Sequence, residues 1–223
     1  MKKAMALAVL ASMMVSANVA FAGLGLPKAP KAAKPAAASS QQSAAVDVAS
    51  LVNSCEPVTV ALNLALAKVL DAQNVFDELI GKVSPESLEL LKSLQDTKQA
   101  SEKKFKAAKQ AGSVLAKLAG KKNTTPDELV KANVEQSKVD AAFTTAKTHV
   151  QESYKLAGAA ITAAPKLLSD ATGALKSLTP TDSNFGKIKS VIDVCKLAVD
   201  YTKTVGAYEK NLGMYKDYKT KKK

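Results

Sequence analysis

Few side chains in this sequence have types and spacings that could carry out covalent or metal chemistry. The chain of 223 residues contains two cysteines, Cys55 and Cys195, and a single histidine, His149. Nucleophilic triads and most zinc sites need histidine, and a di-iron bundle needs a glutamate three residues before one, where this chain has Ala146. We therefore expect His149 to be a half-exposed helix residue, and we predict no catalytic residue, no metal site and no cofactor.

Adjacent carboxylates are the other candidates for acid-base chemistry, and neither pair has a neighbour that would raise a pKa. Asp77 is followed by Glu78, and Asp127 is followed by Glu128. The second pair comes just after Thr125 and is explained as the first turn of a helix, in which Glu128 completes a capping box. These acids are therefore interpreted as structural, and the chain is predicted not to be an enzyme.

The two cysteines are predicted to form a structural disulfide. Cys55 and Cys195 lie far apart in the sequence and are not in a Cys-x-x-Cys motif, which is typical of redox pairs. Two cysteines of one exported chain are expected to pair, because the compartment is oxidising. Such a bridge requires the two α-carbons to come within about 7 Å of each other.

Positive charge is concentrated at the two ends of the chain. The formal net charge is +12, yet residues 46–218 contain 23 lysines against 20 acids, so the body is close to neutral. Every basic residue other than His149 is lysine, which supplies a hydrated point charge and does not read guanine or phosphate in a bidentate way. Sequence-specific nucleic-acid binding is therefore not expected. The candidate contacts with anionic surfaces are Lys28, Lys31, Lys34, Lys219, Lys221, Lys222 and Lys223.

Tyrosines recur every seven residues near the carboxyl end. Tyr201, Tyr208 and Tyr215 therefore share one narrow stripe of a predicted helix. Two interpretations are open. The first is packing at the edge of the core with the hydroxyls in water, and the second is a candidate partner stripe that contacts a helix or a sugar ring.

The amino-terminal residues are typical of an export signal followed by a spacer. Lys2 and Lys3 precede an uncharged run, and Ala20 and Ala22 fit a peptidase site, so residues 1–22 are predicted to be a signal peptide. An uncleaved anchor is the alternative. The lysine-led signal indicates a bacterial protein that is periplasmic or secreted. Residues 23–45 are rich in proline, alanine and lysine and are predicted to be a flexible linker.

The body, residues 46–218, is predicted to be all-α, because apolar residues recur at steps of three and four. A first helix, with Pro57 in its first turn after Ser54, is apolar nearly all round and should lie at the centre. Residues 47–54 could be a separate turn or a kinked continuation of this helix. A second is predicted over residues 84–120, although residues 95–104 contain only one apolar side chain, Ala100. A third starts at Thr125, and a last one precedes the basic tail, residues 219–223.

Pro165 is predicted to reverse the chain. A plain bundle of four antiparallel helices would separate the two cysteines, whereas a reversal at Pro165 makes the first and last helices parallel and brings Cys55 beside Cys195. The expected fold is thus an elongated bundle of four long helices plus a short returning helix over residues 166–178, stapled by the disulfide. It is expected to be a monomer, although a self-assembling form is also considered.

Together these features predict an exported, non-enzymatic binding protein of the cell envelope. Its expected partner is an anionic polymer or surface, such as lipopolysaccharide or an acidic polysaccharide, or an envelope protein. One alternative is a membrane-active, pore-forming helical protein that inserts residues 156–178. Another is a self-assembling filament or secretion-apparatus component. A small hydrophobic ligand inside the bundle is compatible with the sequence.

Overall fold

Helices account for about 80% of the residues that the computed structural model describes, 47–121 and 123–219, and none of these residues is in a strand. The all-α prediction is therefore confirmed. The predicted signal peptide and linker, and all of the basic tail except Lys219, lie outside the described residues. The elements are α1 (Val48–Glu78), α2 (Pro85–Gln95), α3 (Ser101–Ala119), α4 (Pro126–Lys131), α5 (Gln136–Leu175), α6 (Phe185–Leu212) and a 3₁₀ turn (Gly213–Tyr215).

Helix α1 is the centre of the bundle, as its composition predicts. Of the two possibilities for residues 47–54, the structure has the continuous helix, because the Asp47 carboxylate accepts hydrogen bonds from the backbone N–H groups of Ala49 and Ser50 and caps the helix there. Pro57 is inside the helix. Buried α1 side chains contact α2, α3, α5 and α6, so that most of its circumference is enclosed. The fully buried members of this core are Cys55, Leu62, Ala65, Ala72 and Phe76.

The single second helix predicted over residues 84–120 is wrong, because α2 and α3 form a helical hairpin. The turn at residues 96–100 is held by Asp96, which accepts from the Lys98 backbone N–H at 3.0 Å. Ser87 of α2 lies by Asn74 of α1, whereas Lys104 of α3 forms an ion pair with Glu56 at 2.8 Å. Helix α2 thus runs antiparallel to α1, and α3 returns parallel to it. The turn lies within the polar stretch of residues 95–104, which has only one apolar side chain to bury.

The segment after α3 begins as the capping signal predicts and then breaks once more. The Thr125 hydroxyl accepts from the Glu128 backbone N–H, and the Glu128 carboxylate accepts from the Thr125 backbone N–H at 2.7 Å, which completes the capping box. Lys82 donates to the same carboxylate at 2.7 Å, and together these bonds lower the pKa of Glu128 to about 2. Helix α4 ends early, since Asn133 adopts a left-handed conformation with φ of 54°.

The reversal predicted at Pro165, with its returning helix over residues 166–178, is wrong. Helix α5 continues for 40 residues through Pro165, a length of about 60 Å. The proline ring is exposed, so the backbone acceptor that it leaves without an N–H partner is on the solvent side of the helix. A row of small side chains on the buried side holds the helix in the bundle: Ala157, Ala160, Ala164, Ala171 and Ala174.

The first and last helices are nevertheless parallel, as the cysteine constraint predicts. The start of α6, at Asn184 and Lys187, borders the same groove as Val48 at the start of α1. At the other end the Tyr215 ring stacks on Phe76 with centroids 3.8 Å apart. The additional antiparallel helix that makes this arrangement possible is α2. The expected set of four long helices plus a returning helix after Pro165 is not confirmed.

Replacing Pro165 with alanine should stabilise the protein, because alanine restores a helical N–H at an exposed position and proline is about 3 kcal/mol less favourable than alanine inside a helix. We expect a gain of roughly 1 to 3 kcal/mol in the free energy of unfolding, measured by urea denaturation. Pro180→Ala, in the loop before α6, is the matched control and should not stabilise. A loss of stability in Pro165→Ala would indicate a chain reversal at residue 165.

Candidate functional site

The two cysteines meet in the core between α1 and α6, but they are not joined. Cys55 and Cys195 have no accessible surface and lie 4.0 Å apart. The Thr59 hydroxyl, which donates to the Cys55 carbonyl at 2.8 Å, lies beside the pair. The hydrogen bond between the two thiols and the burial of the site raise the pKa of Cys195. The predicted juxtaposition is thus observed, whereas the predicted disulfide is not.

The tyrosine stripe points into the bundle. Tyr201, Tyr208 and Tyr215 have no accessible surface. Tyr201 also makes an edge contact with the ring of Tyr154 on α5, with centroids 6.3 Å apart. These rings fill the space that α6 shares with its neighbours, more deeply than the predicted position at the edge of the core. In this conformation the stripe offers no surface to a partner.

A polar cluster ties the end of α6 to the loop before α4. The Tyr215 hydroxyl donates to the carbonyl of Thr124, and the Thr124 hydroxyl donates to Asp77 of α1. Gln73 donates to the same carboxylate at 2.8 Å. The Tyr208 hydroxyl, by contrast, is buried without a hydrogen-bond partner among the described residues, and burial raises its pKa. The cluster is explained by structure, since it closes one end of the bundle.

His149 belongs to an ionic cluster that joins α1 to α5. Lys68 pairs with Glu152 at 2.9 Å, and His149 Nδ1 lies 3.7 Å from the same carboxylate. Burial raises the pKa of the nearby Asp71, against the opposing charges of His149 and Lys68. His149 is half-buried, as predicted. Among the described residues no three His, Cys, Asp or Glu side chains are grouped so that they could hold a metal ion.

The helices differ strongly in charge, which the near-neutral total of the body conceals. Helix α3 has five lysines and one acid, and α6 has five lysines and three acids, whereas α1 has one lysine and four acids. On α6, exposed lysines recur every seven residues at Lys189, Lys196, Lys203 and Lys210. We call this set the lysine row. The sequence analysis missed it, although the same spacing that marks the tyrosines could have revealed it.

Of the lysines predicted to contact anionic surfaces, the structure describes one. Lys219 is exposed just beyond Tyr218, whose hydroxyl donates to the carbonyl of Val134 at 2.7 Å. The other six candidates lie outside the described residues: Lys28, Lys31, Lys34, Lys221, Lys222 and Lys223. Their contacts with anionic material remain predictions.

Two open grooves with polar side chains lie on the described surface. One, of about 820 Å³, separates α2 from α3 and has Glu86 and Glu89 on one wall and Lys103 and Lys106 on the other. A second, of about 720 Å³, lies where α1, α3 and α6 begin. An apolar gap between α1, α2 and α3 has only about 10 Å³, roughly the space of one water and too small for the hydrophobic ligand with which the sequence is compatible.

One described helix, α1, is long and apolar enough to cross a membrane by length and composition. The core helix of a bundle has the same properties, and α1 is that helix here. Helix α5, which contains all but the last three residues of the segment 156–178 expected to insert in the membrane-active alternative, does not meet the same test. Comparisons of the chain with family models, with curated proteins and with solved structures found no match.

Two tyrosine variants should separate a bonded hydroxyl from an unbonded one. Tyr215→Phe leaves the buried Thr124 carbonyl without its donor and should cost about 1 to 3 kcal/mol of unfolding free energy, measured by urea denaturation. Tyr208→Phe removes a hydroxyl that has no partner and should be neutral or slightly stabilising. Equal losses in the two variants would show that the Tyr208 hydroxyl is hydrogen-bonded in solution.

Proposed function

We propose that this chain is an exported, non-enzymatic helical protein of the cell envelope that binds anionic material. The position of its charge carries the proposal. The predicted linker and tail hold all seven candidate lysines, whereas residues 46–218 are close to neutral. Lysines of such segments could approach an anionic surface at no cost to the fold, and their attraction is screened over about 8 Å at physiological salt.

The folded body favours a binding role over a chemical one. Several of its carboxylates are in ion pairs or hydrogen bonds that join one element to another, and its histidine lies beside one of them, Glu152. Its thiols are buried, and the contact between them raises the pKa of Cys195 and lowers that of Cys55. A reactive cysteine is instead accessible to its substrate, which neither of these thiols is. The body thus serves as a rigid support for the charged ends.

Deleting residues 27–43 and 219–223 from the mature chain should remove most of its salt-sensitive binding to an acidic polysaccharide, because the charge excess leaves with them. Binding to immobilised heparin, followed by the sodium chloride concentration needed for elution, measures the effect.

The control is a variant with both segments present and their seven lysines replaced by glutamine, since it keeps the length of the chain. It should lose binding to the same extent as the deletion. Binding that is unchanged by both alterations would contradict a role for the ends, and leakage of dye from anionic vesicles would favour the membrane-active alternative.

We further propose that the exported protein has a Cys55–Cys195 disulfide. The parallel helices already hold the two residues 4.0 Å apart, so that a small movement of side chains would join them. A disulfide-bearing oxidant of the export compartment would take two electrons and two protons from the thiols and would itself become a dithiol. The bridge would connect the first and last helices of the body, α1 and α6, which run parallel.

Reduction should lower the thermal midpoint of protein isolated from the export compartment, because closing so long a loop stabilises by roughly 4 to 5 kcal/mol in the chain-entropy model. Scanning calorimetry with and without reductant measures the shift, and intact mass shows whether two hydrogens are missing. The Cys55→Ala, Cys195→Ala double variant should be insensitive to reductant. A native protein with two free thiols, or a bridge to a second chain, would refute the proposal.

A further inference from the structure

The outer face formed by α3 and α6 is a second basic surface, distinct from the charged ends. The two helices pack in parallel and closely, since a Cβ atom on Gly112 would lie 2.8 Å from the Leu197 side chain. Asn211 donates to the carbonyls of Leu118 and Ala119 at 3.0 and 2.7 Å and locks the two helix ends together. The face is therefore continuous and rigid over much of the length of both helices.

The lysine row is linear and faces solvent. Its members are seven residues apart, so they follow one line along α6 that is about 31 Å long between Lys189 and Lys210. Each is exposed, and none has a carboxylate within ion-pair distance in the described part of the chain. Lysines that are not engaged in the protein leave their charge available to an external anion.

The side chains beside the lysine row carry both signs of charge, and their acids are too few to cancel the lysines of the face. Lys106 and Lys109 of α3 lie along a shallow groove with Ser190 and Asp193 of α6. Asp193 is neutralised by Lys109 at 2.9 Å. The acids that remain near the face are Glu102, at the end of the groove, and Asp200, between the second and third lysines of the row. The face therefore retains a net positive charge.

We infer that this face, the lysine row with Lys106 and Lys109, is a docking surface for a linear anionic polysaccharide. A linear polymer can present successive charges to a line of lysines, and lysine needs no fixed geometry at the anion. This face lacks the side chains that would favour a nucleic acid or a membrane as the partner. Among the described residues the exposed large apolar side chains are Leu88, Leu156 and Val199, so this face has no exposed aromatic ring to stack on bases and no apolar cluster to enter a bilayer.

The inference rests on the proposed function, because an exported chain meets envelope polysaccharides rather than nucleic acids. It also places the specificity for the shape of the polymer on the folded body and not on the chain ends. Lysines of the predicted linker and tail would attract any anionic material, whereas lysines held at fixed intervals on a helix favour a polymer that can lie straight along them. The ends would capture the polymer, and the rigid face would align it.

The test compares two variants of the mature chain that lose equal charge. In the first the lysine row is changed to glutamine at Lys189, Lys196, Lys203 and Lys210. In the matched control, four exposed lysines on other helices are changed in the same way: Lys92, Lys131, Lys147 and Lys155. The probe is a heparin oligosaccharide, titrated by calorimetry at several salt concentrations, and thermal melting by circular dichroism verifies that both variants fold.

The lysine-row variant should bind about tenfold more weakly than the unaltered chain and show a shallower dependence on salt, because fewer counterions are released. The control should change by less than about twofold. Equal losses of affinity in the two variants would show that only net charge matters, and would contradict the proposal that this face is the docking surface. If deletion of the ends abolishes binding while the lysine-row variant binds like the unaltered chain, the proposed function stands and this inference fails.

A chain that binds no polysaccharide at all would contradict both. A duplex DNA oligonucleotide of similar charge is the comparison ligand. If it binds as tightly as heparin, with the same loss in the lysine-row variant, the face recognises polyanions in general, and the assignment to polysaccharides is wrong.

Discussion

The apolar circumference of α1 is the constraint that the rest of the described fold satisfies. A helix with buried side chains around more than half of its circumference cannot be covered by one or two neighbours, and here α2, α3, α5 and α6 all pack on it. The longest of them, α5, covers one side with alanines, which allow close approach, while α6 covers another side with tyrosines. The remaining side is covered by the hairpin of α2 and α3.

The cysteines impose a second constraint, on direction. For Cys55 and Cys195 to meet at equal depth, α1 and α6 must run parallel, so an odd number of passes must separate them. A chain of four long helices does not provide this, and a short extra pass is needed. The sequence contains the requirement, because the spacing of the cysteines rules out the plain bundle. The sequence does not indicate which segment forms the additional antiparallel helix. In the structure this helix is α2.

Two local features could have supplied the extra turn of the chain, Pro165 and the polar residues 96–100. The polar residues did so, although proline is the stronger helix breaker. Proline is a strong helix breaker in isolation, yet Pro165 is on the exposed side of a helix whose opposite side is anchored by buried alanines, so tertiary packing outweighs the lost hydrogen bond. Residues 96–100 contain no breaker, but a helix there would have nothing to bury. Periodicity thus identified the helical segments, and the capping residues identified the start at Thr125, whereas the end of a helix depended on packing that no local pattern contains.

The direction of the tyrosine stripe could have been predicted, and it explains the surface that was missed. Tyr201 follows the core residue Ala198 by three positions, which places both on one face of α6. The lysine row is offset from the tyrosines by two positions, or about 200° around the helix, so burying one stripe forces the other into solvent. One helix therefore carries the fold on one side and the basic surface on the other. Since the two stripes share no residue, changes to the lysines can alter binding without disturbing the core.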